Sequence, residues 1–156
     1  MSALHIALES AAQPEVVRLI GALDAYQQPL YPPESHHGID LEALGRSNVL
    51  FAVARAATRQ AVGCGAIVLG ADCGELKRMW VNPDYRGQGI GRAVLDFLER
   101  EAARRGCRAF VLETGHLQAE ALALYEHAGY VRCGAFGDYV DDPHSVFMRK
   151  SVAKKV

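Results

Sequence analysis

The sequence predicts one α/β domain whose core is a mixed β-sheet covered by helices. At 156 residues with 50% hydrophobic side chains, the chain is long enough for one buried core and needs no second domain. Short apolar runs with a period of two alternate with longer runs of helical period, which is typical of α/β proteins. A glycine-rich stretch at residues 85–92 joins a strand to a helix, and a further strand follows that helix.

The first third of the chain predicts a strand, a helix, a loop and a short helix. Residues 4–8 alternate as a strand does, and Pro14 stands where the first turn of a helix tolerates proline. Residues 27–38 form a loop, because three prolines lie there among polar and aromatic side chains. Asp40 is a suitable N-cap for a short helix over residues 41–45.

The middle of the chain predicts three consecutive strands. Residues 49–54 and 61–69 form an antiparallel pair, and two glycines in the second strand favour a bend. The third strand covers residues 75–81, and its period of two divides the side chains between the two faces of the sheet. One face holds Glu75, Lys77, Met79 and Val81, and the other holds Leu76, Arg78 and Trp80.

The glycine-rich stretch opens a long helix that Gly106 ends. Ile90, Val94 and Ala102 lie on its apolar side. Its outer side carries two pairs of opposite charge at a spacing of four residues, which are Asp96 with Arg100 and Glu101 with Arg105.

Two strands separated by that one helix should lie side by side and parallel. Residues 108–114 form the second of them, and we expect it to run beside strand 75–81 and to diverge from it near Val81. A helix at residues 118–127 follows. A closing pair of strands at residues 130–133 and 145–150 completes the order β-α-α-β-β-β-α-β-α-β-β.

Composition excludes several classes of function. The formal net charge of −1 and the isoelectric point near 6.6 argue against binding to nucleic acid or to an anionic membrane. The four cysteines are far apart with no Cys-x-x-Cys pair, so we expect reduced thiols and no metal site. No run approaches the length of a membrane span, and no secretory leader is apparent. We therefore expect a cytoplasmic protein, and a homodimer stays an open alternative to a monomer.

The glycine-rich stretch has the chemistry of a phosphate cradle. Amides in the first turn of a helix lack intrahelical partners, and glycines let a phosphate approach them. A P-loop would need Gly-Lys-Ser/Thr where this chain has Gly91-Arg92-Ala93, so nucleotide triphosphate hydrolysis is not expected. A dinucleotide-binding fingerprint would need a glycine at Arg92. A plain strand-to-helix turn is the remaining alternative.

The stretch resembles the acyl-CoA signature Gln/Arg-x-x-Gly-x-Gly/Ala of the GNAT superfamily of N-acetyltransferases, at Arg86, Gly89 and Gly91. The predicted order of elements is also the order of the GNAT fold, with two central splayed parallel strands. The resemblance spans nearly the whole chain as one domain, residues 1–156, and is close in motif over residues 74–132. It implies acetyl-CoA as the cofactor.

The resemblance also implies which residues bind coenzyme A. Backbone amides at residues 87–92 hold the pyrophosphate, and main-chain groups of the preceding strand hold the pantetheine arm. The cofactor-binding residues are then Met79, Trp80, Val81, Arg86, Gly87, Gln88, Gly89, Ile90, Gly91, Arg92, Gln118 and Tyr125. Gln118 stands seven residues before Tyr125, where the family often has asparagine, and its side chain is one methylene longer.

Two residues match catalytic positions of the family. Glu75 lies eleven residues before Arg86, where several related families have the general base. Its alternative role is a rim carboxylate paired with Lys77 or an arginine. Tyr125, in Ala123-Leu124-Tyr125-Glu126-His127-Ala128-Gly129-Tyr130, matches the tyrosine that protonates the departing thiolate. Its alternative role is packing.

The acceptor site is expected to involve the two loops with the most polar content. Its candidate residues are Tyr31, His36, His37, Asp138 and Tyr139. The resemblance implies transfer of an acetyl group to the primary amine of a small molecule, an amino acid or an amine-like metabolite, by direct attack through a tetrahedral intermediate. The alternatives are acetylation of a protein amino group and a non-catalytic module that senses coenzyme A.

Overall fold

A computed structural model describes residues 3–35, 39–71 and 73–152. Within these residues seven strands form one sheet in the order β1-β2-β3-β4-β5-β7-β6. The strands are β1 His5–Leu8, β2 Val49–Arg55, β3 Ala61–Leu69, β4 Cys73–Val81, β5 Ala109–Gly115, β6 Val131–Cys133 and β7 Ser145–Ser151. The helices are α1 Pro14–Gln27, α2 Leu41–Leu44, α3 Ile90–Arg104 and α4 Ala119–His127. The predicted order of elements is confirmed.

The sheet is antiparallel except where β4 and β5 run parallel in its centre. Paired residues run from Cys73 with Ala109 to Leu76 with Leu112, and no pairing follows. The two strands therefore separate earlier than the predicted point near Val81. The gap between their carboxyl ends is where ligands bind in open α/β sheets.

A β-bulge at Arg78 explains the early separation. Arg78 has a φ of 59°, and the pairing of β4 with β3 shifts register between Cys64 and Ala66. A bulge places two residues opposite one and bends the strand. β4 therefore turns away from β5 while it continues to pair with β3.

The same bulge changes which side chains of β4 lie on each face of the sheet. Met79 and Val81 pack against the core that contains Leu76, whereas Trp80 belongs to the core on the opposite face. The prediction that Met79 and Val81 share a face with Glu75 is wrong, because one extra residue exchanges the faces of all later side chains.

One core lies on each face of the sheet. α3 supplies Ile90, Val94, Leu95, Leu98 and Ala102 to the first core, which also includes Tyr125 of α4. α1 covers the other face with Val16, Leu19, Ile20 and Leu23, joined by Leu44 of α2. The two helices flanking the gap, α3 and α4, are thus fixed by the same buried side chains.

Two of the three predictions about helix capping and ion pairs on the helices are confirmed. The Asp40 carboxylate accepts a hydrogen bond from the Ala43 amide at 2.8 Å and caps α2. Glu101 pairs with Arg105 at 2.9 Å. Asp96 pairs with Arg92 at 3.0 Å and not with Arg100, so that predicted pair is wrong. Both arginines lie one turn from Asp96, and sequence spacing does not choose between them.

Arg55 ties the start of the chain to the sheet. Its guanidinium is buried and donates to the Glu9 carboxylate at 2.8 Å and 3.0 Å, to Gln13 at 3.0 Å, to Glu15 at 2.5 Å and to the carbonyl of Arg59 at 2.7 Å. The hydrogen bond with Arg55 lowers the Glu9 pKa from its ordinary 4.5. This network fixes β2 against the segment between β1 and α1.

Three further findings concern the cysteines, metal binding and membrane helices. The four cysteines, which all lie in the described part of the chain, are free thiols, and Cys133 is exposed. No group of His, Cys, Asp and Glu among the residues described could hold a metal ion. None of the described helices is both long enough and apolar enough to cross a membrane.

Candidate active site

A cavity of about 280 Å³ opens where β4 meets the glycine-rich stretch, and we call it the glycine-loop cavity. α3 and α4 form its other walls. It is lined by every predicted cofactor-binding residue except Gln88, together with Tyr26, Tyr85, Glu120, Ala121 and Leu124. Gln88 faces a separate cavity of about 50 Å³ beside Tyr85. The residues that the family resemblance singled out therefore do surround one space, apart from Gln88.

The glycines shape this cavity through the backbone. Gly87 and Gly89 have φ angles of 79° and 77°, a left-handed conformation that side chains rarely tolerate. Gly89 is the N-cap of α3, and the first helical hydrogen bond runs from the Ala93 amide to its carbonyl at 3.0 Å. The amides of Ile90, Gly91 and Arg92 have no intrahelical acceptor. Amides in this position, at the positive end of a helix dipole, can bind an anion.

Gly91 lies where the cavity is narrow. A Cβ atom at this position would be 3.4 Å from the Leu124 side chain and 3.6 Å from that of Val81. The fold tolerates this methyl group, but any larger side chain would extend into the space between α3 and α4. Glycine here keeps the approach to the amides free.

Arg86 is held at the rim of the cavity. Its guanidinium lies 4.7 Å from the centre of the Trp80 ring, and its Nε donates to the Val81 carbonyl at 3.3 Å. Glu120 lies 4.0 Å away and is exposed, so that ion pair contributes little. The stacked position keeps a positive charge beside the anion site.

A second cavity of about 90 Å³, the carboxylate cavity, continues the first into the gap between β4 and β5. The two cavities share Met79, Gln118, Ala121 and Tyr125. The second one adds the charged side chains of Glu75, Lys77, Arg78 and Glu113. The two cavities are therefore neighbours, and together we call them the channel, with the glycine-rich stretch on one side and a set of ionisable groups on the other.

Tyr125 stands at the junction of the two cavities. The residue is 6% exposed, and its ring packs against that of Tyr130 with 5.8 Å between centres. No residue in the described part of the chain hydrogen-bonds to its hydroxyl. Burial raises the Tyr125 pKa well above the ordinary value of 10, so the hydroxyl keeps its proton throughout the neutral range. A buried tyrosine whose hydroxyl has no partner among the described residues therefore lines both cavities.

Glu75 lines the carboxylate cavity and is held by two neighbours. Its carboxylate accepts a hydrogen bond from the Tyr139 hydroxyl at 2.5 Å and lies 3.2 Å from Lys77 Nζ. Lys77 also donates to the Tyr139 hydroxyl at 2.8 Å. Burial, together with the hydrogen bond to Glu75, raises the Tyr139 pKa far above its ordinary 10, so Tyr139 stays neutral. Glu75 thus forms the ion pair with Lys77 that was its alternative role, and it also lines the carboxylate cavity.

A third cavity of about 30 Å³, the end cavity, adjoins the carboxylate cavity between the first loop and the end of β5. It shares Gln27, Glu113 and Gln118 with the carboxylate cavity and adds Tyr31, Ser35, Gly115 and His144. Gln118 lines all three cavities, and its side-chain oxygen accepts a hydrogen bond from the Gly115 amide at 3.2 Å. The glutamine thus bonds to its own chain at the position where the family often has asparagine.

The predicted acceptor residues are only partly brought together. Tyr31 lines the end cavity, and Tyr139 contacts Glu75 without lining any of the three cavities. Asp138 is exposed and lines none of them. His36 and His37 lie outside the described residues.

Sequence reasoning missed Glu113 and His144. Glu113 occupies β5 just past the last residue paired with β4, and the rule that ligands bind at the carboxyl ends of parallel strands could have found it. His144 precedes β7, and no sequence signal places it beside Tyr31, whose ring centre is 6.2 Å away.

Comparisons with known proteins agree with this geometry. The model of the Acetyltransferase (GNAT) family matches residues 18–130. The IAA acetyltransferase of Azospirillum brasilense is 46% identical over 152 residues, which cover 96% of this chain and 99% of that protein. YsnE, an uncharacterized N-acetyltransferase of Bacillus subtilis, is 34% identical over 96% of this chain and its own full length.

Solved structures give the same result. A Klebsiella pneumoniae protein assigned as an acyl-CoA N-acyltransferase superposes with a TM-score of 0.82 at 38% identity, covering 96% of this chain and 98% of its own. The PaiA N-acetyltransferase of Thermoplasma acidophilum, solved with coenzyme A, shares the fold with a TM-score of 0.74 at 16% identity, over 96% and 99% of the two chains. The chain therefore belongs to the GNAT acetyltransferase family and is an enzyme that uses acetyl-CoA as its acetyl donor.

Proposed function

We propose that the enzyme acetylates the primary amine of a small polar molecule, an amino acid or a related amine. The observation that carries this proposal is the place of Tyr125, whose hydroxyl has no partner in the described part of the chain. It lies between a cavity with an anion site and a cavity lined by Glu75. These three features suit acetyl transfer, since the coenzyme carries a pyrophosphate, its departing thiolate takes up a proton and the acceptor amine gives one up.

The glycine-loop cavity is suited to coenzyme A. The amides of the first turn of α3 would hold the pyrophosphate, with Arg86 beside them. Beyond Leu76 the edge of β4 that faces β5 has no strand partner, so its main-chain groups can pair with the amides of the pantetheine arm. Bound in this way, the coenzyme would supply an acetyl thioester next to Tyr125.

Tyr125 is the proposed general acid. Its raised pKa keeps it protonated, and a neutral hydroxyl at the end of the arm can give its proton to the departing thiolate. When this proton is transferred as negative charge develops on sulfur, the coenzyme leaves as a thiol, which is a better leaving group than the thiolate.

Glu75 is the proposed general base. An acceptor amine must lose a proton to attack the thioester, and Glu75 is the carboxylate in the carboxylate cavity on the β4 side. Lys77 and Tyr139 hold it in one position, which limits its reach. The proton therefore passes to Glu75 directly or through one water molecule.

The size of the acceptor side favours a small molecule over a protein. The carboxylate cavity and the end cavity measure about 90 Å³ and 30 Å³. Ser35 of the first loop donates a hydrogen bond to Asp142 at 2.6 Å, so the two loops contact each other. A protein amino group would need an open groove in the same place.

An amine panel tests this proposal. Purified enzyme is incubated with acetyl-CoA and single members of a set of amino acids, amino alcohols, diamines and short peptides, and products are identified by mass spectrometry. We expect N-acetylation of small amines, and Tyr125→Phe should lower every rate on the same panel. Products from peptides alone, or no product from any amine, would refute it.

A further inference from the structure

The acceptor channel ends at a side chain whose position is tightly fixed. Tyr31 is 8% exposed and has the largest side chain among the described residues that line the end cavity. Its hydroxyl oxygen accepts a hydrogen bond from the Leu117 amide at 3.2 Å. The ring therefore lies against the end of β5, in a cavity that neither Tyr125 nor Glu75 lines.

Gly115 is shaped to receive this ring. A Cβ atom built on Gly115 would lie 1.7 Å from the Tyr31 hydroxyl oxygen and 1.9 Å from the ring carbon that bears it. No other residue at position 115 would leave Tyr31 where it is. The two residues are far apart in sequence, so their contact fixes the first loop on the sheet.

The surroundings of Tyr31 hold it from the other sides. The imidazole rings of His116 and His144 lie 6.1 Å and 6.2 Å from the centre of its ring. The hydrogen bond from Ser35 to Asp142 connects the same loop with the segment before β7. A side chain held by a hydrogen bond, a glycine and two rings acts as a wall rather than a movable cover.

We propose that Tyr31 sets the maximum length of the acceptor and restricts the enzyme to short polar amines. This inference rests on the proposed function. The amine nitrogen must reach the junction near Tyr125, so the rest of the acceptor extends toward the end cavity, where Tyr31 stops it. An acceptor with more methylene groups than this either displaces the Tyr31 ring or cannot bring its nitrogen to the junction near Tyr125.

The polar lining of the end cavity determines what the far end of the acceptor can be. Glu113, Ser35, Gln118 and His144 all contribute to the walls beside Tyr31. The Ser145 hydroxyl donates to the Glu113 carboxylate at 2.7 Å and fixes its position. A hydroxyl or amino group at the far end of a short acceptor can add a hydrogen bond to these side chains, whereas an alkyl end would exclude water from them and offer no hydrogen bond in return.

Length series of amines test the inference. Amino alcohols and α,ω-diamines with two to eight methylene groups are assayed for acetylation by the wild type, Tyr31→Ala and Tyr31→Phe. For the wild type we expect kcat/KM to fall about tenfold or more with each methylene beyond a limit. Tyr31→Ala should move that limit by at least two methylenes while the KM for acetyl-CoA stays within threefold. Tyr31→Phe keeps the ring and should keep the limit.

Binding of acetyl-CoA to each variant, measured by calorimetry, shows that it is folded. If Tyr31→Ala does not fold, Tyr31→Leu replaces it with a smaller expected shift. An unchanged limit in the folded variant, or a wild type that accepts every length equally, would overturn the role of Tyr31 and leave the proposed function standing. A wild type that acetylates no small amine would overturn both.

Discussion

Replacing Tyr125 with phenylalanine removes the proposed proton donor and almost nothing else. The ring keeps its packing against Tyr130, and the lost hydroxyl has no partner among the described residues, so no buried group is left unpaired. We therefore expect the free energy of unfolding to change by less than about 1 kcal/mol. Affinity for acetyl-CoA should also be retained.

The effect should appear in turnover. Loss of a positioned general acid lowers kcat by roughly 10² to 10⁴, which is about 2.7 to 5.4 kcal/mol of activation free energy. Because burial raises the pKa of Tyr125 above its ordinary 10, the wild type should show no decline of kcat from loss of this proton below about pH 10.

Tyr130→Phe is the matched control. It makes the same chemical change nearby, but the Tyr130 hydroxyl donates to Glu99 at 2.8 Å and lines none of the three cavities. It should lower the urea midpoint and leave kcat nearly unchanged. Release of free coenzyme A thiol, followed with one fixed amine, gives kcat for both variants. If Tyr125→Phe keeps kcat within threefold of the wild type, Tyr125 is only a wall of the channel.

Three further changes test other parts of the account. Gly91→Val should weaken acetyl-CoA binding at least tenfold, about 1.4 kcal/mol, because its side chain fills the narrow part of the glycine-loop cavity; unchanged affinity in calorimetry would contradict this. Glu75→Gln should lower kcat and flatten the rise of kcat with pH on one amine, and a variant with the wild-type profile would place the base elsewhere. Arg55→Met should reduce the free energy of unfolding in urea by about 3 kcal/mol, since it breaks a largely buried ion pair. The folded-state pKa of Glu9 is lowered by Arg55, so its contribution to stability is present above pH 4.5 and is lost as the pH falls below that value. Arg55→Met should lose less stability than the wild type on acidification, and an equal loss would show that Glu9 is not responsible.

The parts of the fold set by neighbouring residues could be predicted from the sequence. The glycine-rich stretch, the N-cap Asp40 and the helix that carries Tyr125 all depend on residues within a few positions of one another. The parallel pair followed from one crossover helix between two strands. Residues lining the glycine-loop cavity were named through the family resemblance, whose signature covers the continuous stretch in which most of them lie.

The remaining features depend on contacts between distant residues. The bulge at Arg78 needs a positive φ at an arginine, and neither glycine nor asparagine marks it in the sequence. Tyr139 reaches Glu75 from 64 positions away, and Ser145 reaches Glu113 from 32. Local periodicity carries no information about such pairs, which is why the acceptor side was predicted less completely than the coenzyme side.

The most direct test of the account is a crystal structure of the enzyme with acetyl-CoA bound. We expect the pyrophosphate to accept hydrogen bonds from the first-turn amides of α3, next to Arg86. The thioester sulfur should lie within hydrogen-bond reach of the Tyr125 hydroxyl, with the acetyl group directed toward Glu75. A pyrophosphate bound away from the glycine-rich stretch, or a sulfur that Tyr125 cannot reach, would contradict the proposed site.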